Sequence, residues 1–292
     1  MFKIIINCGR CESFIEKCLG SVLSQLGKWE AYVTCDPCGD DTLDRAESFT
    51  TDPRVKFHRN WHRRYSMWNQ ISAIRRSGTD PEDIIVTLDG DDWFSRPDAL
   101  ETIARTYRTH HCWMTYGSWV SNSVTEYGEM WPAYPDGLTD FRGHPWLATA
   151  VRTWKRWLWE LVDDNDFRYN NGEYFRVAED RAIMLPMLEM CGTERAKHIP
   201  ESLMVYNQLP SNRHPELEAE GDANVKVIHS RPPYWRIESM TKFETVTFRC
   251  RGIDWTYKVW LDDGGWYWSV GSVDGTAGDE QEAQIYMMGS DA

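Results

Sequence analysis

The run DIIVTLD, residues 83 to 89, constrains the fold more than any other part of this chain. Its apolar residues follow one another without alternation, so both faces of the strand must be covered. That is the condition of a strand inside a parallel sheet flanked by helices. KIIIN (3–7), AYVTCD (31–36) and RVKFHR (54–59) read as three further strands. Helical stretches separate them. The first places Phe14, Cys18, Leu19, Val22, Leu23 and Leu26 on one face, behind a Ser13-x-x-Glu16 capping box. A second begins near Thr42, and YSMWNQISAIRRSG (65–78) stops at Gly78. A fourth opens near Ser95 and Pro97, with Leu100, Ile103, Ala104 and Tyr107 along it. Strand and helix alternating to about residue 110 predict a doubly wound α/β sheet, whose ligands bind beyond the carboxyl ends of the strands.

Past that point the pattern changes. Residues 113–145 are rich in Trp, Gly and Pro and read as irregular. ATAVRTWKRWLWELV (148–162) spaces Val151, Trp154, Leu158 and Leu161 as a helix would. AEDRAIMLPMLEMCG (178–192) predicts another helix, bent at Pro186 and ended by Gly192, and HIPESLMVYNQ (198–208) a closing strand. The expected organisation is a main domain over 1–212, a charged linker over 213–229, and a small β-rich appendage over 230–292 with turns at Asp254 and Gly264-Gly265.

The fourth strand ends in Asp89-Gly90-Asp91-Asp92. Asp89 and Asp91, one residue apart at a strand end, can face an open crevice and hold a hard divalent ion, with positions left for phosphate oxygens. The same letters suit an ordinary polar turn. Asp36, ending the second strand, occupies an equivalent place in the sheet.

Several motifs, taken in order, resemble the family-2-like GT-A glycosyltransferases. FIEKCLGSVLSQ (14–25) is similar to that family's first helix, CDPCGDDT (35–42) to its acidic turn, and LDGDD (88–92) to its Asp-x-Asp strand end. AEDRA (178–182) is similar to its Glu-Asp pair at a late helix, and HIPESLMVYN (198–207) to its closing strand. The resemblance spans about residues 3–212 and departs at NCGRC (7–11), Pro37 and Cys38. It implies an α/β GT-A fold and a metal-dependent, inverting transfer from a nucleotide-diphosphate sugar, a UDP-sugar being expected. It also implies that Asp89 and Asp91 bind Mn²⁺ or Mg²⁺, and that Asn7, Asp36 and Asp89 contact the donor nucleotide. Asp180 is then the base that takes the acceptor's proton, with Glu179 its nearest substitute, and Asp92 supports the loop. Asp180 also reads simply as an acid at a helix N-terminus.

The acceptor is expected to be a saccharide hydroxyl. A hydroxymethylated pyrimidine in DNA is the alternative, suggested by RVKFHRNWHRRYSMW (54–68), since Arg54 to Arg76 holds seven Lys or Arg and no acid. The net charge of −13 argues against a protein that coats nucleic acid non-specifically. A non-catalytic sugar- or nucleic-acid-binding protein on the same fold is a further reading. Two CxxC pairs, Cys8/Cys11 and Cys35/Cys38, suit zinc in a protein of this kind, or core packing at two adjacent strand ends. The first residues enter strand-like sequence without a secretion leader, and no apolar run spans a bilayer, so a cytoplasmic enzyme of a cell or virus-infected host is expected.

Overall fold

The computed structural model describes residues 1–122, 131–208, 215–237, 242–250, 253–262 and 265–272. Two units divide the chain, Met1–Trp235 and Arg236–Ala292.

In the first unit, strands β1 (Phe2–Cys8), β2 (Trp29–Cys35), β3 (Val55–Arg59) and β4 (Ile84–Asp89) are parallel neighbours, as their apolar runs predict. Ile4, Ile5 and Ile6 are all within 1% of full burial, because helices cover both faces of β1. Helices α1 (Ile15–Leu23), α2 (Thr42–Phe49), α3 (Tyr65–Arg76) and α4 (Ala99–His110) fill the connections. α1 buries Ile15, Cys18, Leu19 and Val22, a helical stripe. Its N-cap is Phe14 with no side-chain cap bond, so the Ser13 capping box does not form, and Leu26 lies beyond the helix, 60% exposed. α4 starts at Ala99, behind Asp98 and two residues after Pro97.

The second half of the sheet departs from expectation. β5 is the pair Trp93–Phe94, and β6 (Met114–Ser121) is an interior strand where irregular chain was expected. Gly117 and Ser118 hid it, since strands favour β-branched and aromatic residues and are depleted in glycine. β7 (Arg152–Lys155) is a strand where a helix was expected, running antiparallel to both β4 and β6. Only Arg156–Glu160, α5, is helical there. Val151, Trp154, Leu158 and Leu161 are all buried, but across a strand, a turn and a short helix. Arg156, 1% exposed, turns inward and donates to the Ile74 carbonyl at 3.0 Å, closing the end of α3.

Helix α6 (Glu179–Arg195) contains Pro186 and breaks its geometry at Gly192 (φ 53°, ψ −176°), as its sequence predicts. β8 (Ala196–Tyr206) follows, parallel to β6, and the sheet order is β3-β2-β1-β4-β7-β6-β8-β5. The stretch read as a linker is helix α7 (Pro215–Ser230), packed through buried Ile228 and Asn224, whose Nδ2 donates to the Val177 carbonyl at 3.0 Å.

The second unit contains a three-stranded antiparallel sheet, ordered β11-β10-β9, from β9 (Lys242–Cys250), β10 (Ile253–Asp262) and β11 (Gly265–Ser272). Asp254 falls inside β10, opposite Arg249, rather than in a turn, and Gly264 lies outside the described residues.

Candidate active site

The parallel register sets three strand ends side by side: Asn7 lies opposite Thr34 on one side and Asp89 on the other, and Cys8 lies opposite Cys35. Asp36 follows directly, its N–H donating to the Cys8 carbonyl at 3.0 Å. After Asp89 the chain turns sharply. Gly90 N–H donates to the Asn7 carbonyl at 2.9 Å, and Asp92 N–H to the Asp89 carbonyl at 3.0 Å.

Beneath this turn lie thiols. Cys8 hydrogen-bonds to Cys11 and Cys35, which with burial pushes the Cys8 thiol well above its ordinary range. A methyl group on Gly90 would sit 2.6 Å from Cys8 Sγ and 2.8 Å from Cys11 Sγ, so the middle residue of Asp-x-Asp has no room for a side chain. Three of the four CxxC cysteines, Cys8, Cys11 and Cys35, therefore pack together as buried free thiols, whereas Cys38 is only partly buried and stands apart from them. Among the described residues, no group of three or more His, Cys, Asp or Glu is arranged to hold a metal ion unaided.

Asp89, Asp92, Glu179 and Asp180 line one narrow cleft, together with Arg152, Gln70 and Trp154. The carboxylates reach it from the end of β4 and the first turn of α6, whose N-cap, Ala178, adopts a left-handed conformation (φ 69°). Crowding has electrostatic consequences. Burial, and then the charges of Asp91, Glu179 and Asp180, raise the Asp89 carboxyl to about 7. Burial also raises Glu179, with the Asp180 charge adding to it, while its Oε1 accepts the Ser66 hydroxyl at 2.9 Å. Asp180 Oδ2 accepts Arg152 Nη2 at 3.2 Å, and its Oδ1 accepts the Arg181 N–H at 2.8 Å.

Asp92 is 2% exposed and accepts the Asn207 N–H at 2.8 Å, which ties the turn to the end of β8. Burial and the charges of Asp89 and Asp91 raise it to about 9. A carboxyl raised on folding binds its proton more tightly in the native state. Its contribution to stability is therefore intact below about pH 4 and is lost as pH rises toward 9. Asp92→Asn keeps the acceptor and removes the titration. In metal-free protein, the melting temperature of Asp92→Asn at pH 8 is expected to exceed wild type by roughly 3–10 °C, on the order of 1–3 kcal/mol. At pH 4 the two should melt together. Thermal melts of both at pH 4, 6 and 8 check this, and parallel curves would refute it.

Asn7 and Asp36 line a second, roomier pocket of about 170 Å³ with Arg10, Arg63, Tyr65, Ser66 and Arg176. Asp36 is occupied by its own chain: Oδ1 accepts Asn60 Nδ2 at 2.8 Å and Arg64 N at 3.0 Å, and Oδ2 accepts Tyr65 N at 2.9 Å. Asn7 Nδ2 donates to Ser66 Oγ at 2.7 Å, so Asn7, Ser66 and Glu179 form a chain that joins the two pockets. Asn7 Oδ1 is buried with no hydrogen-bond partner.

A model of glycosyl transferase family 2 matches residues 3–165. This chain belongs to that family. For the family 2 glycosyltransferase the GT-A architecture is supported by solved structures. S. aureus TarS 1–349 superposes with a TM-score of 0.56 at 17% identity, covering 78% of this chain and 64% of TarS 1–349. The same fragment in complex with UDP-GlcNAc gives 0.53 at 16%, covering 78% and 66%. Mannosyltransferase PcManGT from Pyrobaculum calidifontis, in complex with GDP-Man and Mn²⁺, gives 0.56 at 16%, covering 80% and 65%. The chain thus spans slightly less than two thirds of each of these solved chains, and 37% of a longer TarS chain. No curated protein matches it significantly.

Of the residues singled out from sequence, Asp89, Glu179 and Asp180 share one cleft, Asn7 and Asp36 share the other pocket, and Asp91 stands beside Asp89, close enough for its charge to act on it. Arg152, Ser66 and Gln70 were not singled out. Nothing in their local sequence marks them, since each depends on which strand or helix end faces the cleft.

Proposed function

We propose that this family 2 glycosyltransferase moves a sugar from a UDP-sugar to a saccharide hydroxyl with inversion, acting in the cytoplasm. The observation that carries the reading is the placement of Asp89 and Asp180 in one cleft, on opposite elements, with Asp91 beside Asp89. The nucleoside is placed in the second pocket. There the buried, unpartnered Asn7 Oδ1 is an acceptor waiting for an N–H or O–H donor, and Asp36 keeps lone-pair capacity beyond its three bonds.

A divalent ion fits the carboxylates. Asp89 and Asp91 are hard oxygen donors crowded by Glu179 and Asp180, and burial, with the neighbouring carboxylate charges adding to it, has raised Asp89 to about 7, a cost that a bound cation relieves. Mn²⁺ or Mg²⁺ bound by Asp89 and Asp91 would supply countercharge for the departing diphosphate. Asp180 takes the proton from the attacking hydroxyl. Solved GT-A structures with UDP, UDP-GlcNAc, or GDP-Man and Mn²⁺ support both a nucleotide sugar and a divalent ion. Among the described residues no helix is long and apolar enough to cross a membrane.

The test is hydrolysis of a panel of nucleotide sugars by the wild-type protein, with Mn²⁺, Mg²⁺ or EDTA. Release of nucleoside diphosphate from one donor, lost in EDTA, is expected. The absence of release and of thermal stabilisation by every donor would overturn the reading.

One observation favours a second acceptor. Trp61 is 89% exposed and followed by exposed His62, Arg63 and Arg64, with the Arg63 and Arg64 guanidiniums 4.6 and 5.2 Å from the Tyr65 and Trp68 rings. Exposed aromatic and basic groups together suit a single-stranded nucleic acid. Oligonucleotides carrying hydroxymethylpyrimidines therefore belong beside saccharides in the acceptor panel.

A further inference from the structure

Four carboxylates, Asp89, Asp92, Glu179 and Asp180, line the cleft, and Arg152 is the one Lys or Arg among its lining residues. It comes from β7, opposite Thr87, two residues before Asp89, and so reaches from the sheet toward the start of α6. The guanidinium is held at both ends, with Nε donating to the Ala148 carbonyl at 3.0 Å and Nη2 to Asp180 Oδ2 at 3.2 Å. The pair is half-buried, the two side chains being 23% and 28% exposed, so water does not fully screen it.

We propose that Arg152 is a positioning residue, which holds the Asp180 carboxylate in the orientation that receives the acceptor's proton. The inference rests on the reading of Asp180 as base. The Asp180 side chain is set by two donors from different elements: its own helix through the Arg181 N–H, and the sheet through Arg152. The helix alone does not fix it. Ala178 contributes no side-chain cap to order this turn, and a single bond to Oδ1 leaves the carboxylate free to rotate about it.

The neighbouring charges make that freedom consequential. Asp89 and Glu179 are the carboxylates on which the Asp180 charge acts, and with Arg152 removed their repulsion drives it out of the cleft, away from the acceptor. Lysine does not replace arginine here. A single ammonium on a flexible stem cannot hold the Ala148 carbonyl and Asp180 Oδ2 in the fixed fork that the guanidinium provides. Arg152 donates no proton and touches no reacting atom in this arrangement. Its effect is transmitted through Asp180.

The experiment measures nucleoside diphosphate release from the donor that wild-type protein hydrolyses, using wild type, Arg152→Ala and Arg152→Lys. Donor binding is followed separately by thermal stabilisation. Each reaction is repeated in tens of millimolar guanidinium chloride and in the same concentration of NaCl. Arg152→Ala is expected to lose about 100-fold in kcat, the cost of a misplaced catalytic group, while donor stabilisation persists. Added guanidinium should restore a large part of that loss and NaCl none, and Arg152→Lys should stay low in kcat while melting like wild type. If Arg152→Ala does not fold, the Arg152→Lys comparison decides, and wild-type kcat there refutes the proposal.

Unchanged kcat in Arg152→Ala would overturn the proposal. So would a loss that follows lost donor stabilisation and is indifferent to guanidinium, which is the signature of a structural role. Wild-type turnover with an unaffected Arg152→Ala removes this inference alone, whereas no turnover by wild type removes the proposed function and this inference with it.

Discussion

Asp180→Asn is expected to lower turnover by about 10²–10⁴-fold while the nucleotide sugar still stabilises the protein. An amide cannot take the proton of the attacking hydroxyl, yet it has the size of the carboxylate it replaces. Its carbonyl can still accept the Arg181 N–H, or Arg152 in place of it, so the first turn of α6 should remain formed. Donor binding is expected to survive because the proposed nucleoside site, at Asn7 and Asp36, is in the other pocket. The measurement is diphosphate release beside the melting shift given by the same donor. Full turnover in Asp180→Asn together with loss in Glu179→Gln would move the base to Glu179, whose carboxyl burial already raises. Loss of donor stabilisation in Asp180→Asn would instead make Asp180 part of the donor site.

Gly90→Ala is the second substitution with a large expected effect. The added methyl meets two sulfur atoms at 2.6 and 2.8 Å and the Asn7 carbonyl at 3.3 Å. Cys8 and Cys11 are 1% and 3% exposed, so neither thiol has solvent to retreat into. Overpacking of this kind costs about 1–3 kcal/mol, or roughly 3–10 °C in melting temperature. The turn would relieve the clash by moving, which displaces Asp89 and Asp91 together, and diphosphate release is expected to fall at least tenfold, about 1.4 kcal/mol of transition-state stabilisation. Cys8→Ala in the same chain removes one of the two sulfurs. Part of both losses should then return, because contacting residues couple. If Gly90→Ala melts and turns over like wild type, the thiols do not set the geometry of the turn.

The parts legible in the sequence were those where one physical rule acts alone. Uninterrupted apolar runs mark β1 and β4 because nothing but burial on both faces explains them. Gly192 marks the break in α6 because its backbone angles suit glycine. β7 was illegible because Val151, Trp154 and Leu158 satisfy helical spacing equally well, and the decision lies with β4 and β6, which need a partner between them. α7 was illegible for a different reason. Its Pro, Glu and Asp content reads as solvated chain, yet Asn224 and Glu220 tie it to the loop before α6, the second through a pair with Arg176, and Ile228 is buried.

The site divides in the same manner. Asp89 and Asp180 stand at the ends of elements with strong local signals. Arg152 lies in the strand that the sequence disguises as a helix, so its approach to Asp180 is a product of topology. Ser66 bonds to Asn7, 59 residues before it, and to Glu179, 113 residues after it, and no local pattern encodes that.

The bonds of Asp36 have a kinetic corollary. They pin residues 60, 64 and 65 from one buried carboxylate, and Asn60 Nδ2 also donates to Asn69 Oδ1 at 2.7 Å. The rim of the proposed nucleoside pocket is therefore ordered before any ligand arrives. A nucleotide need not wait for that rim to fold around it, so association there should be a single step whose observed rate rises linearly with ligand concentration. Substitution of Asn60 would convert the rim into a gate, and the same plot would then bend toward a plateau set by the rate at which the loop closes.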